Sequence, residues 1–137
     1  MGLLADEAEV CRVIGGFVSE LVQDPELAPQ LRAADTVVQY RSRDPEATLT
    51  VDLRRGGATR VDCGETDLEP EIVFTGMADA LHRFWLGERN VTIALARGEA
   101  RAEGPVVKVL RLLPLLEPAF PRYRARLLKA GREDLLP

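Results

Sequence analysis

The spacing of apolar residues changes twice along the chain, and this change restricts the fold more than any other feature. In Thr48-Leu49-Thr50-Val51-Asp52-Leu53, apolar and polar residues alternate, which is typical of a strand with one face in the core and one in water. The same period predicts strands near 36–43, 47–54, 58–63 and 71–75. Their short connections favour an antiparallel meander.

Helical spacing is found on both sides of this strand region. Apolar residues three and four apart predict a first helix that ends or bends at Asp24-Pro25, although Gly15-Gly16 inside it indicates close packing or local weakness. A shorter helix is predicted from Pro25 to about Ala33, a well-marked one from Gly76 to Leu86, and a basic one from Tyr123 to Ala130. The first helix carries Val10, Val13, Ile14, Phe17, Val18, Leu21 and Val22 on one face.

The segment Val106 to Leu116 has more apolar surface than a single contact can cover. On a helix beginning at Pro105, the apolar residues from Val106 to Leu113 span an arc of about 220°, roughly twice what packing on one surface needs. Pro114 is expected to kink or stop this helix. This surplus predicts that the protein binds an apolar partner and is not a catalyst.

Charge and composition make several partners improbable. The net charge is -4, so no overall field attracts nucleic acid or anionic membranes. No stretch is long enough to span a bilayer, and the start Met1 to Glu7 lacks a secretory pattern, which predicts a cytoplasmic protein. Cys11 and Cys63 are interpreted as free core thiols, with no disulfide or metal framework. We expect one domain over 1–137 and no cofactor.

The ionisable residues do not form a recognisable catalytic motif. His82 is the only histidine, and we expect it near the outer side of its helix in a structural or exposed role, since no serine or cysteine stands at motif spacing. The acidic residues between Glu65 and Glu71 lack the glycine and bidentate glutamate of a calcium loop. They are interpreted as a solvated loop, and the protein is predicted not to be an enzyme.

The order of these elements from Val37 to about Leu116 resembles the lipid-binding domain of the sterol carrier protein family. The matching residues are Glu71-Ile72-Val73-Phe74-Thr75, then the helix ending at Gly87, then Arg97-Gly98 opening a strand closed by Gly104, and then the apolar helix. The resemblance implies an α+β fold in which helices cover one face of a five-stranded, mainly antiparallel sheet. It also implies that Asn90 to Ala96 is a short helix, although propensity alone predicts a strand.

The resemblance further implies an apolar cavity between the sheet and the C-terminal helix. We expect noncatalytic binding, with or without transfer, of a fatty acid, an acyl-CoA or a sterol-like molecule. Ala100 and Ala102 stand where larger aliphatic residues are common in the family, so we expect them to widen the cavity. The predicted lipid-binding residues are Leu81, Trp85, Ala100, Ala102, Val106, Val109, Leu110, Leu113 and Phe120.

Two other functions remain open at this stage. The surplus apolar surface could instead form a homodimer or a protein interface, with the acidic loop and the basic C-terminal helix at its rim. A small isomerase or cyclase with a cone-shaped cavity has a similar length, but it requires ionisable groups inside the cavity. No inward carboxylate or tyrosine pair is evident at strand positions, so this third reading ranks last.

Overall fold

The computed structural model describes residues 2–57 and 59–137 and consists of a five-stranded sheet with helices packed on one face. The strands are β1 (Val37–Arg43), β2 (Ala47–Asp52), β3 (Arg60–Cys63), β4 (Ile72–Met77) and β5 (Arg101–Glu103). The helices are α1 (Glu7–Val10), α2 (Gly16–Gln23), α3 (Ala28–Arg32), α4 (Ala78–Trp85), α5 (Val91–Ala96), α6 (Val106–Leu116) and α7 (Phe120–Lys129). The predicted start of the third strand at Ala58 lies outside the described residues.

The sheet is mainly antiparallel, as predicted, but it is not a simple meander. The strand order is β3-β2-β1-β4-β5, and β4 runs parallel to β1, with Val38 opposite Ile72. The connection after Cys63 is long enough to carry the chain back to the far side of β1, where the Glu71 amide donates to the Val37 carbonyl at 2.9 Å. The meander prediction is therefore right for β1 to β3 and wrong for β4.

The first helical segment packs its apolar stripe against the sheet. Asp6 caps α1 by accepting from the Glu9 amide at 2.9 Å, and a π-helical turn (Cys11–Gly15) joins α1 to α2. A side-chain carbon at Gly15 would lie 3.4 Å from Leu49 Cδ1, so the helix approaches β2 closely at this glycine. Of the two explanations of Gly15, close packing and local weakness of the helix, the structure thus supports close packing.

Cys11 and Cys63 form a disulfide that links the π-helical turn to β3, so their interpretation as free thiols is wrong. The pairing arises because helix and strand, 52 residues apart in the chain, pack against each other at the β3 edge of the sheet. Disulfides persist chiefly in oxidising compartments. The bond therefore gives no support to a cytoplasmic location, which stays a prediction.

Several helix boundaries differ from the sequence prediction. Gly76 and Met77 extend β4, so α4 begins at Ala78, and α3 begins at Ala28 with Pro29 in its first turn. The helix implied at Asn90 to Ala96 is present as α5. The Asn90 side chain caps it by accepting from the Ile93 amide at 3.1 Å. The Asn90 side chain therefore offsets the strand propensity of this segment.

Pro114 does not stop α6, which continues to Leu116. A proline inside a helix leaves the carbonyl four residues earlier without its amide partner. That carbonyl belongs to Leu110, whose side chain is 61% exposed, so water can reach this side of the helix. The last helix, α7, begins at Phe120 and not at Tyr123.

Candidate ligand cavity

A cavity of about 130 Å³ lies between the sheet and the helical layer. Alternate residues of β1, β2 and β4 form its floor, and residues of α2, α4, α5 and α6 form its roof and sides. Its wall is almost entirely apolar. It is lined by Val18, Leu21, Val22, Leu31, Val38, Tyr40, Leu49, Val51, Leu53, Phe74, Ala80, Leu81, Phe84, Trp85, Arg89, Val91, Ala94, Ala100, Leu112, Leu113 and Leu116.

The sequence-predicted site residues divide into two groups in the structure. Leu81, Trp85, Ala100 and Leu113 line the cavity. The other five lie elsewhere. Ala102 stands opposite Phe74 in the sheet, and Val109 is buried in the core. Phe120 packs edge-on against Phe84 with ring centroids 5.2 Å apart, and Val106 and Leu110 are exposed. Of the two alanines, the cavity wall includes only Ala100.

Most of the cavity floor comes from strand residues that the sequence analysis did not propose as site residues. Val38 and Tyr40 of β1 and Leu49 and Val51 of β2 point to the same side of the sheet as Phe74. The period-two alternation already identified this face as the buried one. It could not distinguish residues that contact a helix from residues that face a cavity.

Polar side chains are rare on the cavity wall. Among the lining residues that the structure describes, Tyr40, Trp85 and Arg89 alone carry polar side-chain atoms. The Tyr40 hydroxyl donates to the Met77 carbonyl at 3.1 Å, and burial raises the pKa of Tyr40 to about 12 although Arg89 and Arg43 oppose the shift. Tyr40 is therefore a neutral, hydrogen-bonded phenol at physiological pH.

Arg89 lies at the boundary between the cavity and solvent. Its side chain is 25% exposed and its Nη2 donates to Glu99 Oε2 at 2.5 Å. Trp85, by contrast, is 6% exposed, and its indole Nε1 has no hydrogen-bond partner among the residues that the structure describes. Buried polar atoms without partners are uncommon in folded proteins, so Trp85 Nε1 marks an unsatisfied donor in a cavity-lining residue.

His82 faces away from the cavity and is completely buried, so its expected position near the outer side of α4 is wrong. Its Nε2 donates to the Leu135 carbonyl at 2.8 Å, and its Nδ1 accepts from the Tyr123 hydroxyl at 2.7 Å. This assignment follows because a carbonyl can only accept. The end of the chain folds back over α4 and covers the imidazole. Burial lowers the pKa of His82, and its role here is structural.

The acidic loop does not form an ion-binding site. Glu65, Asp67 and Glu69 are exposed, while Glu71 accepts from the Thr36 hydroxyl and the Lys108 ammonium at 2.6 and 2.9 Å. These two contacts lower the pKa of Glu71. Within residues 2–57 and 59–137, no three His, Cys, Asp or Glu side chains are grouped so that they could hold a metal ion.

The outer side of α6 exposes the surplus apolar surface noted in the sequence. Val106, Val107 and Leu110 are 69%, 66% and 61% exposed, whereas Val109 and Leu112 on the inner side are buried. We call these three exposed residues the α6 stripe. Among the described helices, none is both long and apolar enough to cross a membrane.

Solved structures with the same arrangement provide the comparison with known proteins. The sterol carrier protein domain 2 of Helicoverpa armigera superimposes with a TM-score of 0.68 at 16% identity, covering 85% of this chain and 90% of that one. Sterol carrier protein 2 from Yarrowia lipolytica, in its apo form, gives 0.62 at 17% identity, covering 77% and 88%. The chain has the fold of sterol carrier protein 2.

A third structure with this fold is the palmitated sterol carrier protein 2-like 2 of Aedes aegypti, with a TM-score of 0.56 at 18% identity over 78% of this chain and 93% of that one. No protein-family model and no curated protein sequence matches the chain. At such low identities, the likeness to sterol carrier protein 2 concerns the fold, and the function has to be argued from the cavity.

Proposed function

We propose that the protein binds an apolar or amphiphilic small molecule in the cavity, without chemically changing it. The observation that carries this proposal is a cavity between the sheet and the helical layer whose wall is almost wholly apolar. Transfer of a ligand from water into such a space gains about 25 cal/mol per Å² of apolar surface. The palmitated Aedes aegypti protein of the same fold supports a ligand of the fatty acyl type.

The cavity volume limits how a long ligand can be accommodated. At about 130 Å³, it is close to an engineered cavity of about 150 Å³ that binds benzene. A longer acyl chain therefore requires side chains to move apart or part of the ligand to project from the cavity. The α6 side of the cavity is the place where we expect this widening, since the α6 stripe on the outer side of that helix is exposed.

Noncatalytic binding also fits the chemistry of the wall. Its described residues include no carboxylate, histidine or thiol, and the buried histidine is held by Tyr123 and Leu135. An isomerase or cyclase would need a general acid or base within the cavity. We therefore propose binding, with transfer between membranes as its physiological extension, by a single domain over 1–137.

Intrinsic fluorescence can test this proposal directly, because Trp85 is the only tryptophan and lines the cavity. We expect titration with decanoate or decan-1-ol to change Trp85 emission in a saturable way, and native mass spectrometry of freshly purified protein to detect a bound apolar molecule. As a control, the same titration after urea unfolding should give no saturable change. If neither ligand alters the emission and no molecule is detected, the proposed function is wrong.

Self-association is the second candidate function, and the α6 stripe is the observation that favours it. A contiguous apolar surface on a helix can be covered by the same surface of a second copy around a twofold axis. Light scattering coupled to gel filtration at increasing concentration would then detect a dimer, and Leu110→Gln would abolish it. A monomer at all concentrations would rule this candidate out.

A further inference from the structure

A second pocket lies where β5 begins beside the end of β4, and it shares only Ala100 with the apolar cavity. Its volume is about 300 Å³ and its wall is largely polar. The wall is formed by the end of β1, by β4 and by the turn between α5 and β5. The lining residues are Arg43, Thr75, Gly98, Glu99, Ala100 and Arg101. The pocket therefore brings two guanidinium groups and a threonine hydroxyl together.

The register of the sheet places these side chains on the face opposite to the apolar cavity. Phe74 lines the cavity, so Thr75, the next residue of β4, points to the other face. Thr75 stands between Arg41 of β1 and Arg101 of β5. Two strand spacings separate these arginines, which is about 10 Å between their backbones. Arg43 lies two residues beyond Arg41 on the same face, so the arginines surround the Thr75 hydroxyl.

These three arginines have no anionic partner in the protein. Within residues 2–57 and 59–137, no ion pair involves Arg41, Arg43 or Arg101. All three are exposed, and Arg41 donates from Nε to Gln39 Oε1 at 2.7 Å, which leaves its charge uncompensated. The pocket thus has a local excess of positive charge in a chain whose net charge is -4.

The carboxylate that lines the pocket does not cancel this charge. Glu99 accepts from Arg89 Nη2 at 2.5 Å, so it is already neutralised by an arginine that does not line the pocket. Like charges that lie close together repel one another, and an anion between them removes this repulsion. A concave surface of one charge sign also concentrates counter-ions locally. The arrangement is therefore suited to an anion supplied from outside the chain.

We propose that Arg43, Thr75 and Arg101 form a binding site for a phosphate group, with Arg41 adding charge at its edge. A phosphate monoester carries a charge near -2 and three acceptor oxygens at neutral pH. It can accept from two guanidinium groups and a hydroxyl at once, whereas one guanidinium already occupies both oxygens of a carboxylate. The phosphate belongs to a soluble phosphorylated molecule or to a phospholipid head group. This inference is independent of ligand binding in the apolar cavity.

The first test follows the backbone amides by NMR while inorganic phosphate is added at constant ionic strength and pH 7.5. We expect saturable shifts for the amides of Thr75 and of Gly98 to Arg101, and none when sodium chloride replaces phosphate. Arg43→Gln and Arg101→Gln should each weaken phosphate binding by about tenfold. Arg101→Lys should keep part of the affinity, because a lysine retains the charge but not the paired donors. Added salt should weaken binding in the wild-type protein.

The second test identifies the source of the phosphate group. The wild-type protein is sedimented with vesicles of phosphatidylcholine that contain phosphatidic acid, and with vesicles of phosphatidylcholine alone. Extra binding to the first vesicles that Arg43→Gln and Arg101→Gln both remove would assign the site to a lipid head group. Binding of inorganic phosphate without this extra vesicle binding would assign it to a soluble phosphorylated molecule. Either result supports the site.

Arg111→Gln is the matched control, because Arg111 is an exposed arginine of α6 that does not line the pocket. It should bind phosphate with the wild-type affinity. Absence of saturable shifts in the wild-type protein, or equal phosphate affinities of wild type, Arg43→Gln and Arg101→Gln, would overturn the inference. Neither arginine lines the apolar cavity, so decanoate should change Trp85 emission in both variants as in the wild type. Failure of the phosphate site would therefore leave the proposed function intact.

Discussion

The two ends of the helical layer are packed very differently. At the α1–α2 end, residues such as Ile14 and Phe17 are almost fully buried, and the Cys11–Cys63 disulfide ties the helical segment to β3. At the α5–α6 end, Ile93 and the α6 stripe are exposed. Both ends are rich in apolar residues, yet only the first end uses nearly all of them in the core.

The width of the apolar arc explains this difference. A helix with a narrow apolar stripe needs one partner surface, and the sheet supplies it for α1 and α2. The arc of α6 is too wide for one partner, so Val109 and Leu112 reach the core while the stripe on the other side does not. The first end therefore stabilises the fold, and the second is where we expect a ligand to be admitted.

The largest expected effect concerns the cross-link at the well-packed end. Replacing Cys11 and Cys63 together by serine should lower the free energy of unfolding by about 4 kcal/mol, because the bond closes a loop of roughly 50 residues in the unfolded chain. Urea unfolding of the oxidised wild type and the double variant measures this. Binding of decanoate well below the transition should persist in the variant, since neither cysteine lines the cavity, although Leu49 opposite Cys63 does. A loss of binding without unfolding would contradict this separation of the two ends.

The second prediction concerns the buried histidine at the same end. His82→Ala should lower the free energy of unfolding by about 3 kcal/mol, since it leaves a void and removes the partners of the Tyr123 hydroxyl and the Leu135 carbonyl. Arg83→Ala, at the neighbouring exposed position, should change it by less than about 0.5 kcal/mol. Equal effects of the two substitutions in urea unfolding would show that His82 is not part of the rigid core.

The third prediction concerns the cavity and the two alanines of its neighbourhood. Ala100→Leu should weaken decanoate binding by about tenfold, because the added carbons fill space on the cavity wall. Ala102→Leu, two residues along the same strand face and opposite Phe74, should weaken it less. Calorimetric titration of both variants measures the difference. If Ala102→Leu weakened decanoate binding more than Ala100→Leu, the ligand would occupy space closer to β5 than the described cavity.

The smallest expected effect is a pH dependence of stability from His82. Burial lowers its pKa in the folded protein, so folding disfavours the protonated form and stability should decrease as the pH falls below about 6.5, the value of an unperturbed histidine. Between pH 7.5 and 5.5 we expect a loss of up to about 1 kcal/mol. His82→Asn, which does not titrate, should lack this slope. The same slope in His82→Asn would assign the effect to other groups.

The sequence predicted the parts of the structure that depend on local patterns. Alternation in Thr48 to Leu53 correctly identified β2 and the face that lines the cavity, but the opposite face is not open to water as predicted, since Thr50 and Asp52 are 0% and 3% exposed. The wide apolar arc correctly identified α6 as a helix with unburied surface. The resemblance to sterol carrier proteins supplied the short helix at Asn90 to Ala96, which propensity alone misassigned. The Asn90 cap is the local signal that could have corrected it.

Features that depend on contacts between distant segments could not be predicted in this way. The parallel pairing of β4 with β1 depends on the path of the long connection after β3, and the pairing of Cys11 with Cys63 depends on which edge of the sheet the first helix covers. His82 was misplaced because the segment that buries it, around Leu135, is far away in sequence. The cavity wall mixes residues from most of the elements, so no single pattern could identify it.

The position of the disulfide also determines what a protease can release from the molecule. The turn between β2 and β3 carries the exposed residues Arg54, Arg55 and Gly56, and it lies within the segment that Cys11 and Cys63 enclose. A trypsin cut after Arg54 or Arg55 would therefore leave two polypeptides joined through sulfur. Such a nicked molecule would migrate as one species in electrophoresis until the disulfide is reduced. Its strands would stay in place, with β1 and β3 still flanking β2.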